Sequence, residues 1–216
     1  MRLYLSSFRL GGRPDLLVGL ARGNTRAAVI VNAVDHMTEA EREARVVQEM
    51  EALRGLGFDP EELDLRDHFH GRAMGGALAT RLEGAGVVWV RGGNAFVLRR
   101  AMQASGFDAL VLDLLRRDGL VYAGYSACCA MLPPSLRGLE LVDDPRADPP
   151  GYPADLVWEG LGILPYAIAP HYRSDHPESP DIERVVQYYI DHHVLFRALR
   201  DGEVIVVDGE REEIVR

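Results

Sequence analysis

The stretch G-Y-S-A-C-C-A, Gly124 to Ala130, carries three candidate nucleophiles: Ser126, Cys128 and Cys129. It follows the apolar run L-V-Y-A-G-Y, Leu120 to Tyr125. Gly-x-Ser at a strand end predicts a sharp turn into a helix. Such a turn projects the serine hydroxyl into a cleft and aims the next backbone N–H, that of Ala127, at a developing oxyanion. Cys128 takes the last place of a G-x-S-x-G pattern, where glycine lets strand and helix approach closely; cysteine is small enough to substitute. The structural alternative for Ser126 is an N-cap on a packed helix, and on these residues alone the two stand level. Cys128 and Cys129 are rival nucleophiles, because the first turn of a helix lowers a thiol pKa. Both lie past the tip of the turn, however, and small buried hydrophobes are the commoner role of free cysteine.

A serine nucleophile needs a general base within hydrogen-bond reach, and histidine is the usual one. His171 in A-P-H-Y stands at another strand end, with a turn-capping histidine as the structural alternative. His176, in R-S-D-H-P, follows by a loop and is less well placed. His171, Asp175 and His176 match no standard zinc spacing, so no metal is expected. His68, His70, His192 and His193 read as solvated. The turn R-G-G-N, Arg91 to Asn94, offers the Gly93 N–H as a second oxyanion donor. It would also serve as a phosphate cradle at a helix N-terminus, although it matches neither common nucleotide fingerprint, or simply as a turn that needs glycine.

The elements that must position these residues alternate along the chain. Leu3 to Leu5, Ala27 to Val31, Val87 to Val90 and Leu120 to Tyr125 read as buried strands, and a further strand is expected near Leu63 to Leu65. Pro14 to Arg22 fits a helix with proline at its start. Thr38 and Glu41 form a capping-box pattern; the helix they open carries Val46, Val47, Met50 and Leu53 on one face and ends at Gly55 and Gly57. Helices are expected over Arg72 to Leu82 and over Phe96 to Arg117, the latter interrupted at Gly106. Pro133 to Gly160 holds six prolines and reads as a surface excursion. Ala167 to Tyr172 is a strand running into a turn, Ile182 to Val194 a helix, and Val204 to Val207 with Glu213 to Val215 a hairpin. This order predicts a single α/β domain over 1–216: a three-layer sandwich with a mostly parallel sheet. Ligands of such sheets bind beyond the carboxyl ends of the strands, which is where G-G-N, Ser126 and His171 converge.

Composition narrows the function. The chain has 216 residues and a net charge of −9, which disfavours nucleic-acid binding. Its 24 basic residues are all arginine, so no lysine Schiff base is available. Adjacent cysteines bridge each other only through a strained turn, so no disulfide framework is expected. Neither a signal-like h-region nor an 18-residue apolar run is present, and a cytoplasmic protein without a membrane partner is expected.

The ordered set G-G-N, then G-x-S-A, then P-H, each after a strand, resembles the peptidase E (aspartyl dipeptidase) serine peptidases. These share their fold with the class I glutamine amidotransferases and have cyanophycinase as a relative. The resemblance runs from about Leu3 to Gly209. It implies a class I glutamine amidotransferase-like fold, Ser126 as nucleophile, His171 as base and an oxyanion loop at Gly92, Gly93 and Asn94. Arg91 stands where a further glycine is usual, and Cys128 where the family has glycine. A segment near the family's C-terminus resembles Leu199 to Gly202 and nominates Asp201 as the acid, with Asp143 and Asp144 as rivals. The implied catalytic set is Ser126, His171 and Asp201; the implied oxyanion and substrate-binding set is Gly93, Asn94 and Ala127. The implied substrate is a short peptide or small amide, with no cofactor; a homodimer is open. Two other readings remain: a non-catalytic small-ligand-binding domain, motivated by Cys128 and Arg91, and a cysteine hydrolase using Cys128. The family's arginine-rich stretch after the histidine is replaced by R-S-D-H-P-E-S-P-D-I-E-R, where four acidic residues crowd Arg173 and Arg184. Asp-X dipeptides are therefore not expected to be preferred, unless an arginine elsewhere, such as Arg91, takes the anion site.

Overall fold

The computed structural model describes residues 1–71 and 77–216. Its elements run β1 (Arg2–Ser6), α1 (Pro14–Leu20), β2 (Arg26–Ile30), α2 (Glu39–Arg54), β3 (Asp59–Glu62), α3 (Leu78–Glu83), β4 (Val87–Val90), α4 (Ala95–Ser105), α5 (Phe107–Arg116), β5 (Val121–Tyr125), α6 (Ala127–Ala130), β6 (Ala167–Ala169), α7 (Ser179–Asp191), β7 (Phe196–Ala198), β8 (Val204–Asp208) and β9 (Arg211–Val215). Seven strands form one sheet in the order β3-β2-β4-β5-β1-β8-β9. The pairs from β3 to β1 are parallel, and β8 and β9 close the far edge antiparallel. β6 and β7 form a separate parallel pair.

The α/β expectation holds for a simple reason. β1, β4 and β5 are buried along their whole length, as central strands covered by helices on both faces must be. Alternate residues feed two cores. Leu3, Leu5, Val88, Val90 and Tyr122 enter one, while Tyr4, Val87, Trp89, Val121 and Ala123 enter the other. Gly106 adopts a left-handed conformation (φ 77°) and separates α4 from α5, as its position suggested. Thr38 and Glu41 close the predicted capping box.

Three local expectations are corrected. The strand expected near Leu63 to Leu65 lies earlier, over the polar D-P-E-E of β3. Pairing with β2 at the sheet edge overrides hydrophobic pattern there, and an edge tolerates Pro60. Val47 is exposed while Val46 and Leu53 are buried, so the buried stripe of α2 is narrower than the sequence implied. His68 is buried, not solvated. The expected helix from Arg72 begins outside the described residues, as does the side chain of His70.

The proline-rich segment is more than a surface excursion. Leu136, Leu139 and Val157 are buried in it, and it is tied to α4. The Arg99 side chain donates to the Glu159 carbonyl at 2.7 Å and Arg100 to the Pro153 carbonyl at 3.1 Å. The Tyr152 hydroxyl donates to Asp35, whose other oxygen accepts from buried Arg42 at 2.7 Å.

Candidate active site

β1, β4 and β5 are adjacent and parallel, so their carboxyl ends open on one edge of the sheet. The loops after them carry Ser7 to Arg9, Arg91 to Asn94 and Ser126. Ser126 occupies φ 53°, ψ −111°, and its side chain makes no capping bond. An L-residue held there stores about 1–3 kcal/mol of strain, which the N-cap reading does not explain. The turn is possible because the chain beneath it is bare. A Cβ on Gly124 (φ 150°) would collide with the Val90 carbonyl oxygen and come within 2.7 Å of Cys128 Sγ. A Cβ on Gly92 would reach within 2.8 Å of Ser126 Cβ, so the glycine turn after β4 lies directly against the serine.

Ser126, His171, Gly92 and Gly93 line one cleft of about 250 Å³. Ala127 opens α6, whose first N–H groups have no intrahelical partner, and borders a smaller, mostly apolar recess that Ser126 also lines. His171 follows β6 with φ 60° and is almost wholly buried. Its Nδ1 lies 2.8 Å from Asp201 Oδ1. A carboxylate only accepts, so Nδ1 carries the proton and Nε2 is left as the free lone pair. Burial holds the His171 pKa below its ordinary value; Asp201 opposes that shift and neighbouring His176 adds to it. The His171 and His176 rings stack at 3.7 Å with 9° between their planes, and Phe8 meets both edge-on.

Asp201 is itself anchored. Its backbone N–H donates to Ser174 Oγ at 2.8 Å. Ser7, fully buried after β1, accepts the His171 backbone N–H at 2.8 Å and donates to Asp201 Oδ1 at 2.8 Å. The rivals for the acid stand elsewhere. Asp143 Oδ2 accepts from the Ala95 N–H at the start of α4; burial raises its pKa to about 7. Asp144 is exposed and accepts from the Arg146 N–H.

Other site residues are reassigned. Asn94 does not face the cleft. Its Oδ1 caps the Phe96 and Val97 N–H groups, and its Nδ2 donates to the Asp144 carbonyl at 2.8 Å. It holds the start of α4, and with it the glycine turn. Cys128 and Cys129 are fully buried, and burial raises both thiols, Cys129 to about 12. Desolvation outweighs any dipole of the four-residue α6, so neither is an activated nucleophile. Arg173 and Arg184 are 60% exposed and face Glu183 and Asp181. The cleft's own cations are Arg9, Arg45 and Arg91. Arg91 lies 3.2 Å from Glu49, a buried carboxylate that also accepts from Trp89 and Tyr125. Arg9 and Arg45 have no ion-pair partner among the described residues. Glu178 lines the same cleft. Ser7, Arg9, Arg45 and Glu178 were missed in the sequence. For Ser7 and Arg9 a signal existed: S-S-F-R follows the predicted buried strand Leu3 to Leu5, at the end where ligands bind.

Sheet order defines a mixed α/β fold with a mostly parallel sheet, and the cleft lies at the carboxyl ends of its strands. The profile of peptidase family S51 matches residues 21–215, and the chain belongs to that family. It is 33% identical over 204 residues to peptidase E of Streptomyces coelicolor, spanning 91% of this chain and 74% of that one. It is 30% identical to a Drosophila melanogaster protein named "Probable alpha-aspartyl dipeptidase", over 60% of this chain and 53% of the relative. A crystal structure of a peptidase E-type protein from Listeria monocytogenes EGD-e superposes with TM-score 0.78 at 21% identity, over 100% of this chain and 98% of that one. No helix among the described residues is long and apolar enough to cross a membrane.

Proposed function

We propose that this peptidase cleaves short peptides through Ser126, His171 and Asp201. The observation that carries the reading is the 2.8 Å contact from His171 Nδ1 to Asp201, with His171 and the strained Ser126 on one cleft. In this scheme Ser126 Oγ attacks the scissile carbonyl while His171 Nε2 takes its proton. Asp201 holds the imidazole tautomer and stabilises the imidazolium that forms. The Gly93 and Ala127 N–H groups receive the oxyanion. The proton then passes to the leaving amine, and water, activated by the same nitrogen, releases the acyl group. A cleft of about 250 Å³ sits below the roughly 300–1,000 Å³ of pockets for drug-sized ligands, which suits a dipeptide better than a folded chain.

The charge pattern favours an acidic, free-amino peptide, reversing the expectation drawn from the segment between Arg173 and Arg184. Arg9 and Arg45 bring positive charge to the cleft without a close ion-pair partner among the described residues, and Glu178 brings a carboxylate for an α-ammonium. The alpha-aspartyl name of the Drosophila relative is consistent with this assignment. A fluorophosphonate probe should label the wild type once and fail on Ser126→Ala, with hydrolysis of Asp-Leu lost in parallel. Hydrolysis persisting in Ser126→Ala refutes the scheme.

A further inference from the structure

His171, His176 and Glu178 present ligand atoms that all lie within 4.8 Å of one another. The cluster differs from the set weighed on sequence spacing, because Glu178 replaces Asp175 as the third donor. Two imidazoles and one carboxylate are a zinc ligand set that leaves a fourth position open.

We propose that these three residues form a binding site for a divalent transition cation of the Zn²⁺ type, and that its occupancy switches the peptidase off. The inhibitory half rests on the function proposed above. Asp201 occupies His171 Nδ1, so a metal can reach only Nε2, the lone pair that would take the serine proton. The Asp201 carboxylate behind the ring is the partner that makes a ligating histidine more basic and fixes its orientation. His176 is the ligand that has to turn. Its Nδ1 accepts the Glu178 backbone N–H at 3.3 Å and stands 4.0 Å from Glu178 Oε2. Zinc–ligand distances of about 2.0–2.2 Å need the donors closer than 4.8 Å, a contraction within reach of the His176 and Glu178 side chains. The two rings now stack face to face, so ligation of one ion turns the His176 ring out of that stack while Asp201 keeps His171 in place.

The test is calorimetric titration of Zn²⁺ into the metal-free full chain, paired with peptidase assays over the same range. One site per chain is expected in the wild type and in Ser126→Ala, weakened about tenfold or more in His176→Ala and in Glu178→Gln. His192→Ala, beyond the other end of α7, should bind as the wild type does. Inhibition of the wild type, His176→Ala, Glu178→Gln and His192→Ala, each measured against its own metal-free rate, should follow affinity, and a chelator should restore activity. Equal Zn²⁺ affinity in the wild type, His176→Ala and Glu178→Gln overturns the site. Tight one-site binding with undiminished hydrolysis overturns the inhibitory role, and with it the role of His171 Nε2 as base.

Discussion

Ser7→Ala tests whether the geometry around His171 is held from the opposite side of the chain. Ser7 Oγ accepts the His171 backbone N–H at 2.8 Å. Its single proton has two acceptors in reach, Asp201 Oδ1 at 2.8 Å and the Leu199 carbonyl at 3.3 Å; the shorter, charge-assisted bond to the carboxylate wins. Alanine removes that bond, worth about 1.5–3 kcal/mol, and strands a buried N–H, at about 1–3 kcal/mol. One hydroxyl makes both, so the costs do not simply add. A net loss of about 2–3 kcal/mol is expected. For a chain of this size each kcal/mol moves the melting midpoint by about 2–4 °C, so a drop of roughly 5–10 °C follows. The catalytic effect is separable. With Asp201 and the His171 backbone (φ 60°) both released, kcat should fall about tenfold or more, or about 1.4 kcal/mol of barrier, while KM stays within about twofold. The assay is steady-state hydrolysis of Asp-Leu well below the melting range. A Ser7→Ala protein that melts lower but keeps wild-type kcat refutes the positioning argument and leaves Ser7 a packing residue.

Three further outcomes follow from the same geometry. Burial lowers the His171 pKa from 6.5, so the base stays neutral into mild acid and the acid limb of kcat/KM should have its midpoint below 6.5. The folded state then binds fewer protons than the unfolded one near pH 6.5, so the His171 contribution to stability is present above 6.5 and is lost as pH falls below it. A wild-type midpoint at or above 6.5 contradicts the burial argument. His176→Ala, which removes a neighbour that lowers the His171 pKa, should move the limb toward higher pH. Arg45→Ala should cost about tenfold in kcat/KM for Asp-Leu and little for Ala-Leu; equal losses on both substrates would remove Arg45 from recognition of the acidic side chain. Iodoacetamide should leave Cys128 and Cys129 unmodified in the native protein and alkylate both after unfolding, because both thiols are buried with raised pKa values. Rapid native alkylation would reopen the thiol as nucleophile.

The elements were legible because they are written in local signals. Alternating apolar runs and amphipathic segments, the Thr38–Glu41 box, the Gly106 break and the C-terminal hairpin each need only a few neighbouring residues to read. The edge strand β3 was misplaced because its pairing with β2, not its own D-P-E-E pattern, makes it a strand. The candidate site was legible in its tips: glycine turn, serine and histidine all follow strands, and parallel strands in one sheet bring those ends together. What the tips rest on was not. Whether Asp201 or Asp143 faces His171 depends on contacts across the chain: Ser7 meets Asp201 from 194 residues away, while Asp143 is spent on the Ala95 N–H. Helix position argued for an activated thiol at Cys128, but burial decided against it, and burial belongs to the packed whole. The charge of the cleft could not be read from the Arg173 to Arg184 segment alone, because Arg9, Arg45 and Arg91 come from three separate parts of the chain. Local sequence states which residue types stand at the strand ends; only the closed fold determines which are desolvated, which are already paired, and which remain to meet a substrate.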